Sequence, residues 1–113
     1  MITLWHNPRC SKSRAALALL QDNGAPLTLR RYLDDAPDLA ELRRVHALLG
    51  GKVIDMMRPG EARFKELGLG RDTSEDTLLA AMAENPILIE RPIAIAGTRA
   101  VIGRPPEQVL DLL

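Results

Sequence analysis

The sequence predicts an α/β fold around a small mixed sheet, and three stretches carry that prediction. The opening third reads strand, helix, strand. The middle is purely helical, and the last quarter holds a Gly-bearing hairpin signal followed by a closing helix. The expected order is therefore β-α-β, a helical insertion, then β-β-α, with four strands in a sheet that mixes parallel and antiparallel pairs. At 113 residues the chain has material for one core rather than two. A single domain over residues 1–113 is expected, with the insertion at about residues 34–86.

Each element has a local reason. Ile2-Thr3-Leu4-Trp5 is short, bulky and alternating at its start, as a buried strand is, and Pro8 breaks it. From Ser11 to Asn23 the residues are strong helix formers, and the run Ala15–Leu20 is nearly apolar all round, which predicts a mostly buried helix. Asn23-Gly24 supplies a left-handed stop. The alternation from Pro26 to Tyr32 is a second strand. Strand, helix and strand in this order imply a parallel pair joined by a right-handed crossover.

After a loop over residues 34–38, Asp38-Leu39-Ala40-Glu41 has capping-box spacing. Leu39, Leu42, Val45/His46 and Leu49 form the apolar stripe of that helix, and Gly50-Gly51 ends it. Val53–Met57 is a short apolar turn closed by Arg58-Pro59-Gly60, and Glu61–Leu67 is a further short helix before Gly68. Thr73-Ser74-Glu75-Asp76 opens another helix with acids in the first turn, where the helix dipole favours them; it stops at Asn85-Pro86. Pro92–Ile95 and Arg99–Ile102 then flank Ala96-Gly97-Thr98 as a hairpin. Pro105-Pro106 opens a last helix that buries Val109, Leu110 and Leu113.

Composition removes several function classes. Hydrophobic residues are 46% and charged residues 27% of the chain, an ordinary globular balance. The formal net charge is zero, so bulk electrostatics favour neither nucleic acid nor an anionic membrane as partner. No apolar run approaches the roughly 20 residues of a membrane span. Met1–Trp5 lacks the basic region and long apolar core of a signal peptide, and a lone cysteine forms no internal disulfide; a cytoplasmic address is expected. One cysteine and two histidines make a poor zinc set, so no metal is expected.

The chemistry concentrates in His6-Asn7-Pro8-Arg9-Cys10-Ser11-Lys12-Ser13-Arg14. This places Cys10 just past the carboxyl end of the first strand and at the start of the first helix, where open α/β sheets put their ligands. Unpaired N–H groups and the positive end of the helix dipole stabilise a thiolate there. A free thiol has a pKa of about 8.5; helix starts and nearby cations lower it to roughly 3.5–7.5. Arg9, Lys12 and Arg14 lie within local reach, and His6 can return across the turn. A lone cysteine is otherwise a small buried hydrophobe, but a turn rich in Arg, Ser and Pro is a poor setting for one. A phosphatase-type loop needs Arg six positions after Cys, and position 16 is Ala. A dithiol needs Cys at position 13, which is Ser13. Cys10 is thus a monothiol nucleophile that requires an outside thiol to turn over.

Twelve arginines stand against three lysines, and most are solvated surface charges. Arg58, Arg91 and Arg104 differ: each immediately precedes a proline and closes an element. A cis Arg91–Pro92 bond would form a deliberate turn before the third strand. Trp5, Met56 and Met57 read as core, and His46 as structural.

Three motifs in order, His6-Asn7-Pro8-x-Cys10-x-x-Ser13-Arg14, Asn85-Pro86-Ile87-Leu88-Ile89-x-Arg91-Pro92-Ile93 and Gly103-Arg104-Pro105-Pro106, resemble the glutathione/glutaredoxin-dependent arsenate reductase (ArsC) family, nearest its short YfgD-type branch. The likeness runs end to end, through Gly24, Leu67-Gly68 and Val109-Leu110-Asp111. It implies a thioredoxin-like fold and reduction of arsenate to arsenite. Cys10 would attack arsenate, glutathione would serve as co-substrate, and glutaredoxin would release the product, with no bound cofactor. The resemblance assigns Arg58, Arg91 and Arg104 to oxyanion binding. It assigns His6, Ser13 and Arg14 to the thiolate, and Pro92 to the turn that supports the site. Ser11-Lys12 departs from the smaller residues often found after the cysteine, and the chain stops at Leu113 where longer members carry a tail; neither departure removes a catalytic position. Two other classes share features with this chain. A monothiol glutaredoxin-like oxidoreductase fits C-x-x-S but has no use for three proline-linked arginines. A regulator such as the related Spx proteins, which bind RNA polymerase, often uses a C-x-x-C switch that Ser13 removes.

Overall fold

The computed structural model describes all residues from Met1 to Leu113. The chain divides into two compact units, one formed by Met1–Asp35 with Arg91–Leu113 and the other by Ala36–Glu90. The second unit carries α-helices and 3₁₀ turns and no strand of the sheet.

In the first unit, β1 (Ile2–Trp5), α1 (Ser11–Asp22) and β2 (Leu27–Arg30) form the expected crossover, and β3 (Ile93–Ala96) with β4 (Arg99–Ile102) form the hairpin. The strand order is β2-β1-β3-β4. β1 runs parallel to β2, with Ile2 opposite Leu27 and Trp5 opposite Arg30, and antiparallel to β3, with Trp5 opposite Ile93. The sheet is therefore four-stranded and mixed, in an α/β thioredoxin-like fold. Its core gathers Ile2, Leu4, Ala16, Leu20, Ala94 and Val109, all buried, and Trp5 is buried as expected.

Two local expectations change. Only one stripe of α1, Ser13, Ala16 and Leu20, is buried, while Ala15 and Ala18 face solvent. The alanine run reflects helix propensity, since Ala forms helix best and exposes little apolar area. The closing segment Pro106–Leu112 is a 3₁₀ helix rather than an α-helix. Its three-residue turn aligns positions 106, 109 and 112 on one face. Pro106 and Val109 are buried and Leu112 packs against the core, whereas Leu113 is 58% exposed.

The second unit contains α2 (Leu39–Leu49), α3 (Ala62–Glu66) and α4 (Glu75–Glu84), with 3₁₀ turns at Val53–Met56 and Pro86–Leu88. The capping box is formed: Asp38 Oδ1 accepts from Glu41 N at 2.8 Å, and Glu41 Oε1 accepts from Asp38 N at 3.3 Å. Met56 and Met57 are buried, and His46 Nε2 lies 3.0 Å from the carbonyl oxygen of Gly51 just past the end of α2. No helix is long and apolar enough to cross a membrane.

One glycine positions the site. Gly103 donates its N–H to Pro92 O at 2.9 Å. A Cβ there would lie 2.7 Å from Pro92 Cγ and 3.0 Å from Val109 Cγ1. Gly103→Ala should therefore overpack this junction and destabilise the fold by about 1–3 kcal/mol. The check is a lower urea midpoint with an unchanged denaturant slope.

Candidate active site

Cys10 occupies the N-cap position of α1 with an extended backbone (φ −93°, ψ 124°) and is almost fully buried. The turn before it is fixed by Asn7. The carbonyl of Asn7 accepts from Cys10 N at 3.0 Å, and its side-chain Oδ1 accepts from Arg9 N at 3.0 Å. An Asn side chain bonded to the backbone two residues on is an Asx turn. The Asn-Pro dipeptide carried that signal, yet Asn7 has no role in the sequence reading beyond the motif.

Two arginines meet the sulfur. Arg104 directs Nη2 at Cys10 Sγ, 3.7 Å away, while its Nε donates to the Arg91 carbonyl at 2.8 Å. The Arg91 guanidinium, just ahead of β3, also acts on the thiol. Both arginines precede cis prolines, at Arg91–Pro92 and at Arg104–Pro105.

Burial pushes the Cys10 thiol up, but the Arg91 hydrogen bond, the backbone N–H groups of Ser13 and Lys12, and the Arg91 charge together bring it below its ordinary value. At an effective dielectric near 20, unit charges about 4 Å apart attract by roughly 4 kcal/mol. That is enough to offset a partial loss of solvation. Burial also works against the charge on Arg91, and the neighbouring Cys10 and the fully buried Tyr32 more than offset it, leaving Arg91 firmly protonated.

His6 and Ser13 make a separate buried network. Ser13 Oγ lies 2.6 Å from His6 Nδ1 and accepts from Asn7 N at 3.0 Å. The arrangement using each group once has the hydroxyl donating to Nδ1 of a neutral ring with its proton on Nε2. Burial first, then the charges of Arg31 and Arg14, hold His6 below its usual value. His6 therefore enters as a neutral partner of Ser13, and Ser13 reaches the sulfur through its backbone N–H rather than its hydroxyl. The Arg14 guanidinium donates to Pro8 O at 3.0 Å, bracing the turn. In the second unit Arg58 is paired with two carboxylates, Glu61 Oε1 at 3.1 Å from Nε and Glu90 Oε1 at 2.9 Å from Nη1.

The model of the ArsC family matches residues 5–112. An arsenate reductase of Neisseria meningitidis is 46% identical over 99% of this chain and 97% of its own length. The uncharacterized protein YfgD of Escherichia coli is also 46% identical, over 99% of this chain and 96% of its own. Among solved structures, an arsenate reductase from Vibrio cholerae superposes with a TM-score of 0.95 at 47% identity, covering 99% of this chain and 97% of that one.

The depressed His6 pKa has a measurable consequence. Between its lowered folded value and the roughly 6.5 of an unfolded histidine, the unfolded chain binds more protons, so stability falls as pH drops below about 6.5. NMR titration of His6 should show a midpoint below 6.5, and urea unfolding from pH 7.5 to 5.5 should lose stability with a slope that His6→Gln reduces.

Proposed function

Because this chain belongs to the ArsC family, we infer that it reduces arsenate to arsenite through the Cys10 thiolate, with glutathione and glutaredoxin supplying the electrons. The observation that carries this reading is the Cys10 sulfur held at a helix start under the Arg91 and Arg104 guanidinium groups. A thiolate and an arsenate oxyanion repel each other, and paired guanidinium forks offset that repulsion while matching the oxygens of a tetrahedral anion.

The steps balance as follows. The Cys10 thiolate forms an S–As bond and one arsenate oxygen leaves as water, arsenic remaining As(V). Glutathione displaces a second oxygen as water, giving an arsenic bonded to both sulfurs. The glutaredoxin thiol then attacks the glutathione sulfur. The S–As electron pair stays on arsenic, which becomes As(III), while glutathione and glutaredoxin leave as a mixed disulfide. Water finally replaces Cys10 on As(III), releasing arsenite and the free thiol. One protein thiol suffices for this cycle, in keeping with Cys10 as the only cysteine and Ser13 at the position where a resolving cysteine would stand.

Within this reading Arg91 and Arg104 bind the oxyanion and hold the thiolate, Ser13 contributes its N–H, and His6 and Arg14 support the turn beneath the sulfur. Pro92 shapes the approach of Arg91. The oxyanion role of Arg58 follows the family resemblance and would have it exchange a carboxylate partner for arsenate. No bound cofactor or metal is invoked, and the cellular address is taken as the cytoplasm, where reduced thiols are plentiful.

Arsenate-dependent oxidation of NADPH, coupled through glutathione, glutaredoxin and glutathione reductase, tests this. Wild type should turn over, and Cys10→Ser should abolish activity. Arg91→Lys should keep the fold and lose at least about tenfold in rate, or ~1.4 kcal/mol of transition-state stabilisation. An inert wild type, or an Arg91→Lys variant near wild-type activity, refutes the reading.

A further inference from the structure

A cavity borders the turn that leads into Cys10. It is lined by His6, Asn7, Pro8, Arg9, Arg31 and Asp34, with Leu33 as an apolar wall, and has a volume of about 310 Å³. That lies at the small end of the roughly 300–1,000 Å³ typical of small-molecule sites. Its floor, His6 and Asn7, is buried, whereas Arg9, Arg31 and Asp34 are exposed and enter no salt bridge within the chain. Leu33 is 39% exposed.

We propose that this cavity is the subsite for the charged ends of the thiol tripeptide co-substrate, with Arg9 and Arg31 taking its two carboxylates and Asp34 its ammonium group. The charges match one for one. Glutathione at neutral pH carries two carboxylates and one ammonium, and the cavity presents two guanidinium groups and one carboxylate. Leu33 and Pro8 offer apolar surface to the methylenes between those ends. Reach is also satisfied. Arg9 is the chain neighbour of Cys10, so their Cα atoms are about 3.8 Å apart, and a tripeptide extends roughly 10 Å. A ligand anchored here therefore lies within a tripeptide's length of Cys10. Arg91 and Arg104 remain on the oxyanion, so the two substrates do not compete for the same cations. The inference rests on the reading that an outside thiol completes turnover at Cys10.

The test separates that reading from the subsite by using binding alone. S-methylglutathione, which cannot react, is titrated into wild type, Arg31→Glu and Asp34→Asn by calorimetry. Both substituted side chains are exposed, and the turn they sit on is closed by backbone, Asp34 N donating to Arg31 O at 3.0 Å, so the variants keep the fold. Wild type should bind, and Arg31→Glu should weaken binding at least tenfold. N-acetyl-S-methylglutathione, lacking the ammonium, should bind wild type several-fold more weakly than the parent, with that difference lost in Asp34→Asn. No binding to wild type at millimolar concentration, or equal affinity for wild type and Arg31→Glu, overturns the subsite even where arsenate turnover is observed. Arg31-dependent binding in a protein inert towards arsenate upholds the subsite and strikes the arsenate reading instead.

Discussion

The structure depends on a sulfur placed where burial alone would hold it protonated, yet whose pKa is brought below its ordinary value. Cys10 is nearly fully buried, and desolvation raises a thiol's pKa. Only the convergence of α1's first N–H groups with the Arg91 guanidinium reverses that direction. Much of the first unit can be understood as the means of this convergence. β1 has a neighbour on each side of the sheet, parallel β2 and antiparallel β3. Its carboxyl end therefore lies beside the amino end of β3, where Arg91 sits. Gly103 lets the segment after β4 approach Pro92 closely enough for Arg104 to bond the Arg91 carbonyl and still reach the sulfur.

The same turn keeps its polar groups satisfied without adding charge. His6, Asn7 and Ser13 are all buried, and a buried polar group without a partner is costly. Ser13 Oγ serves both His6 Nδ1 and Asn7 N. The neutral imidazole avoids placing a further cation next to Arg31 and Arg14. This division leaves the reactive sulfur to arginines and backbone N–H groups, whose protonation does not change across physiological pH. The neutral network beneath holds the turn in shape.

Much of this was legible in residues read in order. The crossover followed from the alternation of Ile2–Trp5 and Pro26–Tyr32 around a helix-forming run, and the hairpin from Gly97 between two apolar stretches. The capping box at Asp38 and Glu41 was readable from spacing, because it is a contact between residues three apart. What was not legible depended on packing between distant segments. The phase of the closing helix shifted because Pro106, Val109 and Leu112 align only in a three-residue turn. The apolar look of α1 concealed that alanine serves helix formation as readily as burial. The arginines before prolines stood out, but sequence does not distinguish Arg104 on the sulfur from Arg58 between Glu61 and Glu90. The Asx turn at Asn7 is local, and an Asn ahead of a proline signals such a side chain folded back onto the turn.

The claim on which the rest stands is that Arg91 and the start of α1 hold Cys10 as a thiolate near neutral pH. Thiolate absorbance at 240 nm, followed against pH in wild type and in Arg91→Ala, tests it directly. The expected result is a wild-type midpoint below the roughly 8.5 of a free thiol and a clear upward displacement in Arg91→Ala. A wild-type midpoint at or above that value, or an Arg91→Ala midpoint equal to wild type, would contradict it.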